Sequence, residues 1–250
     1  MSKESIIMIL LAVLGLFIAL IAWLAPFSPI GSSPLAGQTE SASTTKPTIK
    51  VSTPFVGAWT RGNLLVDENF NDKKADNWIT KSGNVEVVRI LENGQPNYVL
   101  QLEGGLTVLT LPKNISDYAV EARIMQVSGK EGLGTIQIRM ASPNPGRCNQ
   151  EYKTYIDVIN DWLSLVEDDP IKCDENRETG LFGARKFDFS MMTWYLLRIE
   201  AKGADVRVYL DNVLQVSDQD NKLKSNIIAL STCCNVHRFY FDDVKVWELP

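Results

Sequence analysis

Histidine is almost missing from this chain. A single residue, His237, serves all 250 positions. A histidine-rich metal site is therefore excluded, and any serine–histidine–aspartate triad would have to use that one ring. No block of lysine and arginine interrupts an acidic balance of −5, so the chain lacks the basic footprint of a nucleic-acid binder and no nucleic-acid partner is expected. Lys3, Lys46 and Lys50 against Glu4 and Glu40 leave residues 1–54 one charge positive, which makes the remainder −6. Strings of the form E-x-D-x-x-E, which place an acid and a nucleophile on one strand face, are also absent. Glu167, Asp168 and Asp169 are consecutive, so in a strand their side chains alternate in direction. No convincing helical period runs past one or two turns outside the N-terminal segment, and no internal repeat is found.

What is present begins with a hydrophobic run. Ile6 to Ala25 is twenty residues without a charge. As a helix it spans about 30 Å, the thickness of a hydrocarbon core. Trp23 sits where an indole reaches the headgroups. A cleaved signal peptide would have a shorter apolar run and a small-x-small site, and a lipoprotein anchor would need a following cysteine. The expectation is an uncleaved transmembrane anchor over residues 1–25. Lys3 and the terminal amine flank its N-terminal side, and no Lys or Arg follows until Lys46. The positive-inside rule then places the N-terminus in the cytoplasm and the rest outside. In residues 26–54, Pro, Gly, Ser and Thr fill 18 of 29 positions. Such a segment buries too little apolar surface to offset chain entropy and is expected to be a disordered stalk.

Residues 55–250 change pattern to short alternating strands. In Tyr118–Gln126, Val120, Ala122 and Ile124 oppose Glu121 and Arg123. In Thr135–Met140, Ile136, Ile138 and Met140 oppose Thr135, Gln137 and Arg139. Trp194–Val216 reads as a three-strand meander, turned at Lys202-Gly203-Ala204 and at Asp211-Asn212; Asn93-Gly94 marks another hairpin. Many short strands in one domain point to an antiparallel sandwich or barrel. One hairpin can be registered: with Asn160-Asp161 as its turn, Ile156 faces Leu165 and Val158 faces Leu163, leaving Tyr155, Asp157, Trp162 and Ser164 on the other side. That register also sets Cys148 opposite Cys173, at a distance a disulfide accepts. Four cysteines allow three full pairings. Outside the cytoplasm thiols tend to oxidise, so Cys148–Cys173 is expected, while the adjacent Cys233 and Cys234 either form a rare, strained vicinal bond or stay reduced; in a cytoplasmic domain all four would stay reduced.

Asp67-Glu68-Asn69-Phe70-Asn71-Asp72 resembles the opening strand of many extracellular jelly rolls. Thr193–Glu200 followed by Val206–Asn212 resembles their central meander, and Phe239–Trp247 their closing strand. Together these resemble the concanavalin A-like lectin/glucanase superfamily, near its laminin G-like and 3-keto-disaccharide-hydrolase-like branches, over roughly residues 60–250. The resemblance implies a jelly-roll β-sandwich of two antiparallel sheets and a bias toward carbohydrate. It implies no reaction. A polar sheet face would then display Arg123, Gln137, Arg139, Tyr155, Asp157 and Trp162 to a ligand, rings stacking on sugars and polar groups meeting hydroxyls. If first and last strands lie side by side, Asp67, Asp242 and Asp243 form a candidate structural Ca²⁺ site. The expected function is a membrane-tethered extracytoplasmic recognition module with glycan as the first ligand. The alternatives are a glycan-active hydrolase, which needs two converging carboxylates, and an interaction ectodomain without a small ligand. Asn114-Ile115-Ser116 is a glycosylation sequon, meaningful in a eukaryotic secretory pathway.

Overall fold

A computed structural model describes residues 59–130, 132–142, 150–168, 180–220, 222–233 and 237–250; side chains are described for these except at 180–182. Backbone contacts divide the chain between Lys50 and Val51, and every described residue belongs to the second unit. The expected anchor and the whole of the expected stalk lie outside the described residues. Among the described residues no helix is long and apolar enough to cross a membrane.

Thirteen β-strands are present among the described residues: β1 (Leu64–Glu68), β2 (Ile79–Glu92), β3 (Gln95–Thr110), β4 (Tyr118–Ser128), β5 (Leu133–Ile138), β6 (Glu151–Asp157), β7 (Trp162–Asp168), β8 (Gly180–Lys186), β9 (Tyr195–Lys202), β10 (Asp205–Leu210), β11 (Val213–Gln219), β12 (Ile227–Thr232) and β13 (Arg238–Glu248). All the pairings are antiparallel. The strands form one path, β11-β10-β9-β4-β13-β3-β12-β5-β6-β7-β8, with β1 beside β13 and β2 beside β3.

The path folds into two layers at β3. Residues 100–103 of β3 pair with β13, whereas residues 106–110 pair with β12. Gly104 makes the bend at φ +54°, and β2 bends with it at Gly83, φ +68°. A β-carbon on Gly83 would sit 2.2 Å from the Gly104 carbonyl oxygen, so this corner requires glycine. The first layer holds β4, β9, β10, β11, β13 and the early part of β3; the second holds β5, β6, β7, β8, β12 and its end. Alternation sends one side of each layer into a shared core, including Val120, Ile124, Leu197, Ile199, Phe239 and Phe241 from the first and Ile136, Ile138, Ile156, Leu163 and Leu165 from the second. At the far side β11 and β8 come back together, where a β-carbon on Gly183 would meet Val216 at 2.7 Å.

The turns follow local chemistry. Asp211-Asn212 closes β10–β11 with both residues at positive φ, and Asn93-Gly94 does the same for β2–β3, the backbone that a two-residue hairpin matching the sheet twist requires. The β6–β7 register differs from the expected one. Asp157 pairs with Trp162 and Ile156 with Leu163, so the loop is four residues, Val158–Asp161, not two. Asp157 explains the extension: its carboxylate accepts from the Ile159 and Asn160 amides at 3.2 and 3.0 Å and from the Asn160 side chain at 2.8 Å. The slip of two residues leaves the faces unchanged, because the strand period is two. It does remove the basis for setting Cys148 opposite Cys173. Those two cysteines and Cys234 lie outside the described residues.

Candidate ligand-binding site

The outer face of the first layer is polar in sequence and largely buried in the fold. Arg198 and Glu200 from β9 are 2% and 0% exposed, and Tyr209 beside them on β10 is 1%. Arg198 Nε lies 3.3 Å from a Glu200 oxygen, and the guanidinium stacks 4.1 Å from the centre of the Tyr209 ring. Arg61 covers the neighbouring strands, 3.8 Å over the Trp247 ring and 3.0 Å from a Glu121 oxygen, and Arg207 lies 3.9 Å over Trp59. Burial raises the Glu200 pKa, Arg198 opposing it, and lowers that of Arg198. This face is an ionic and aromatic layer, and its groups engage one another.

At the β2–β3 end of the same layer a depression of about 390 Å³ remains open. Arg123 of β4 is its centre. Nη1 and Nη2 bind Glu92 at 2.7 and 3.1 Å, Nη2 meets Asp242 at 2.5 Å, and Nε lies 2.9 Å from Asp243. The guanidinium is 4.6 Å from the Trp194 ring centre. Asn97 donates to both Glu92 and Asp242 at 2.9 Å. Asn71, Asn93 and Gln95 complete the polar wall. Hydrogen bonds from Arg123 hold the Glu92 carboxyl below its ordinary range. Burial holds Asp242 above its own, against Asn97 and Arg123. For Arg123 burial opposes the charge, but hydrogen bonds to Glu92 and Asp242 outweigh it and raise its pKa. One cation among three carboxylates leaves an acidic, preorganised array of acceptors with a forked donor.

The expected site residues separate. Arg123 and the expected metal ligands Asp242 and Asp243 come together in this depression, where the arginine occupies the carboxylates. β1 and β13 do lie side by side, but Asp67 is exposed and pairs with Lys245. Among the described residues no group of three histidine, cysteine or acidic side chains is arranged to hold a metal ion. Arg139 leaves the polar face altogether. It follows β5 at φ +51° and is 0% exposed. The positive φ breaks the alternation, so its guanidinium donates to the Ser116 and Gly203 carbonyls at 3.0 and 2.9 Å and to Asp117 at 2.9 Å. Met140 falls on the opposite side, in a small outer cluster with Leu106, Val108, Ile227 and Ala229.

Gln137, Tyr155, Asp157 and Trp162 do share the outer face of the second layer. Its rungs run Ala229–Gln137–Lys153–Val166, Ser231–Thr135–Tyr155–Ser164–Ala184 and Leu133–Asp157–Trp162–Lys186. Gln137 donates to Ser231 at 3.1 Å, and Asp157 is spent on its loop. Trp162, 41% exposed, is a large exposed apolar side chain of this face. Elsewhere Glu167 and Asp220 converge on Lys222, 2.7 and 3.3 Å from its ammonium, and burial raises the Glu167 pKa. His237 is buried, packed where β-carbons on Gly129 and Gly132 would come within 2.1 and 2.7 Å of its ring. Glu92, Asn97 and Trp194 are the site residues that strand-face reasoning misses. Trp194 precedes β9, and Glu92 and Asn97 flank the Asn93-Gly94 turn, the one signal that could have drawn attention to them.

No family model matches the sequence, and no curated protein matches it. Among solved structures, a carbohydrate-binding module from Bacillus subtilis is similar at a TM-score of 0.52 and 17% identity, over 69% of this chain and 96% of the module. A Bacillus subtilis protein of unknown function with a galectin-like fold is similar at a TM-score of 0.54 and 8% identity, over 76% of this chain and 98% of that one. At such identities the likeness is one of fold: a jelly-roll β-sandwich.

Proposed function

We propose that this domain is a carbohydrate-binding module, carried on the extracytoplasmic side of a membrane, and that its ligand docks in the Arg123 depression. The carrying observation is the array itself. A fixed guanidinium fork, carboxylates and the Asn97 amide stand at the edge of an open hollow beside an indole. Sugar hydroxyls both donate and accept, and such a surface offers partners for both. The fold shared with a module named for carbohydrate binding supports the reading. The apolar run Ile6–Ala25 and the proline- and serine-rich stretch after it support the tether.

The test is a glycan array with the whole chain, followed by calorimetry on whatever is retained. Arg123→Lys keeps the charge opposite Asp242 and loses the fork. It is expected to weaken binding at least tenfold while the melting temperature moves by only a few degrees. An array without any retained glycan, or an affinity that Arg123→Lys leaves unchanged, would overturn the assignment.

A further inference from the structure

A second depression, of about 300 Å³, opens between residues 73–78 and the β2–β3 hairpin. Two of its lining residues each hold a buried polar atom that finds no hydrogen-bond partner among the described residues, Trp78 Nε1 and Thr107 Oγ1. Trp78 is 6% exposed and Thr107 0%. Buried polar groups are normally paired, and each one left unpaired costs stability. Two on one small hollow mark a place where a partner from outside would supply what the fold does not.

The chemistry of that partner follows from the lining. An indole N–H only donates, so a ligand must present an acceptor to it; a threonine hydroxyl can accept or donate. The same lining carries the aliphatic groups of Val85, Val87 and Leu100, which favour an apolar group. A carbonyl oxygen, an amide N–H and a methyl within a few ångströms of each other constitute an acetamido group. The wall is preorganised. The Phe70 amide donates to Glu68 at 3.0 Å, Asn71 to Asn69 at 3.1 Å, Lys74 to Asp72 at 3.0 Å, and Trp78 to the Ala75 carbonyl at 2.9 Å. These bonds set Trp78 in place before any ligand arrives. The rim is polar, with Lys74 and Asp76 3.6 Å apart and Lys73 lying 5.2 Å over the Tyr98 ring. Asn71 of the same loop lines the Arg123 depression.

From this juxtaposition we propose that the Trp78–Thr107 hollow is a subsite for the acetamido group of an N-acetylated amino sugar. The proposal rests on the glycan reading and gives it a substrate class. N-acetylglucosamine oligosaccharides, their de-N-acetylated counterparts and N-acetyl-lysine are the probes, titrated against the whole chain by calorimetry and by saturation-transfer NMR read at the acetyl methyl. The expected result is at least a tenfold preference for the acetylated sugar. Thr107→Val, the same shape without the hydroxyl, should remove most of that preference while leaving the melting temperature unchanged or higher, since it deletes an unpaired buried group. Trp78→Phe should act in the same direction on binding. Equal affinity for acetylated and de-N-acetylated sugars, still lost in Arg123→Lys, would overturn this inference and leave the glycan reading standing. A preference that both variants leave intact would overturn it too, and so would N-acetyl-lysine binding as well as the sugar. Silence from every sugar would overturn both.

Discussion

The two outer faces of this sandwich look alike as strings of alternating residues and differ completely as surfaces. On the first layer Arg198, Glu200 and Tyr209 are sealed into an ionic and aromatic sheet under the edge of Arg61 and Arg207. On the second, hydroxyls and small side chains such as Ser231, Thr135, Ser164 and Ala184 lie in a rung beside an exposed Trp162. A charged residue facing away from the core is therefore no guide to exposure. What decides it is whether a neighbouring charge or ring is placed to take the side chain out of water.

The sharpest way to break that contrast is to remove one partner of the buried pair. Glu200→Ala leaves Arg198 buried beside an empty site and is expected to cost about 3–5 kcal/mol. Thermal melting would show it, and a loss of under a degree would mean that this face is not sealed. A smaller effect comes from titration. Burial raises the Glu200 pKa above its ordinary value of 4.5, with Arg198 opposing. A carboxyl whose folded pKa is raised contributes stability below the unfolded value and loses it as pH climbs through the folded one. Glu200→Gln removes that loss. Relative to the parent, its melting temperature should therefore rise between about pH 4.5 and neutrality; a constant difference across that range would show that Glu200 ionises normally. The least expected effect belongs to the other face. Trp162→Ala should cost no more than about 1 kcal/mol, as substitutions at partly exposed surface positions do. A drop comparable to that of Glu200→Ala would show Trp162 to be a packing residue.

These faces also mark how far the sequence could be read. The inward alternation of Val120, Ala122 and Ile124, the β9–β11 meander and the Asp211-Asn212 and Asn93-Gly94 turns are local, and they stand in the fold as their residues imply. The β6–β7 loop is read two residues too short because Asn160-Asp161 looks like a turn by itself, whereas Asp157 recruits the amides of Ile159 and Asn160. Arg139 reads as an outward residue because nothing in its neighbours announces a positive φ. The Arg123 depression joins residues from β2, β3, β4 and β13, and the Trp78–Thr107 hollow joins residues 29 positions apart. Neither can be seen from spacing along one strand.

The position of β13 carries a consequence for how this molecule is made. The last strand among the described residues is interior: it pairs with β4 along its length and with both β3 and β1 on its other side. While the ribosome is still delivering it, β1, β3 and β4 are exposed without the neighbour that joins them. The first layer can be assembled only after Phe239, Phe241, Val244 and Val246 have emerged. Early strands must wait for late ones, a topology dominated by distant contacts that folds slowly and leaves apolar edges open to aggregation in the interval. For a nascent chain of this kind, the delivery of β13 matters more to assembly than the delivery of β1.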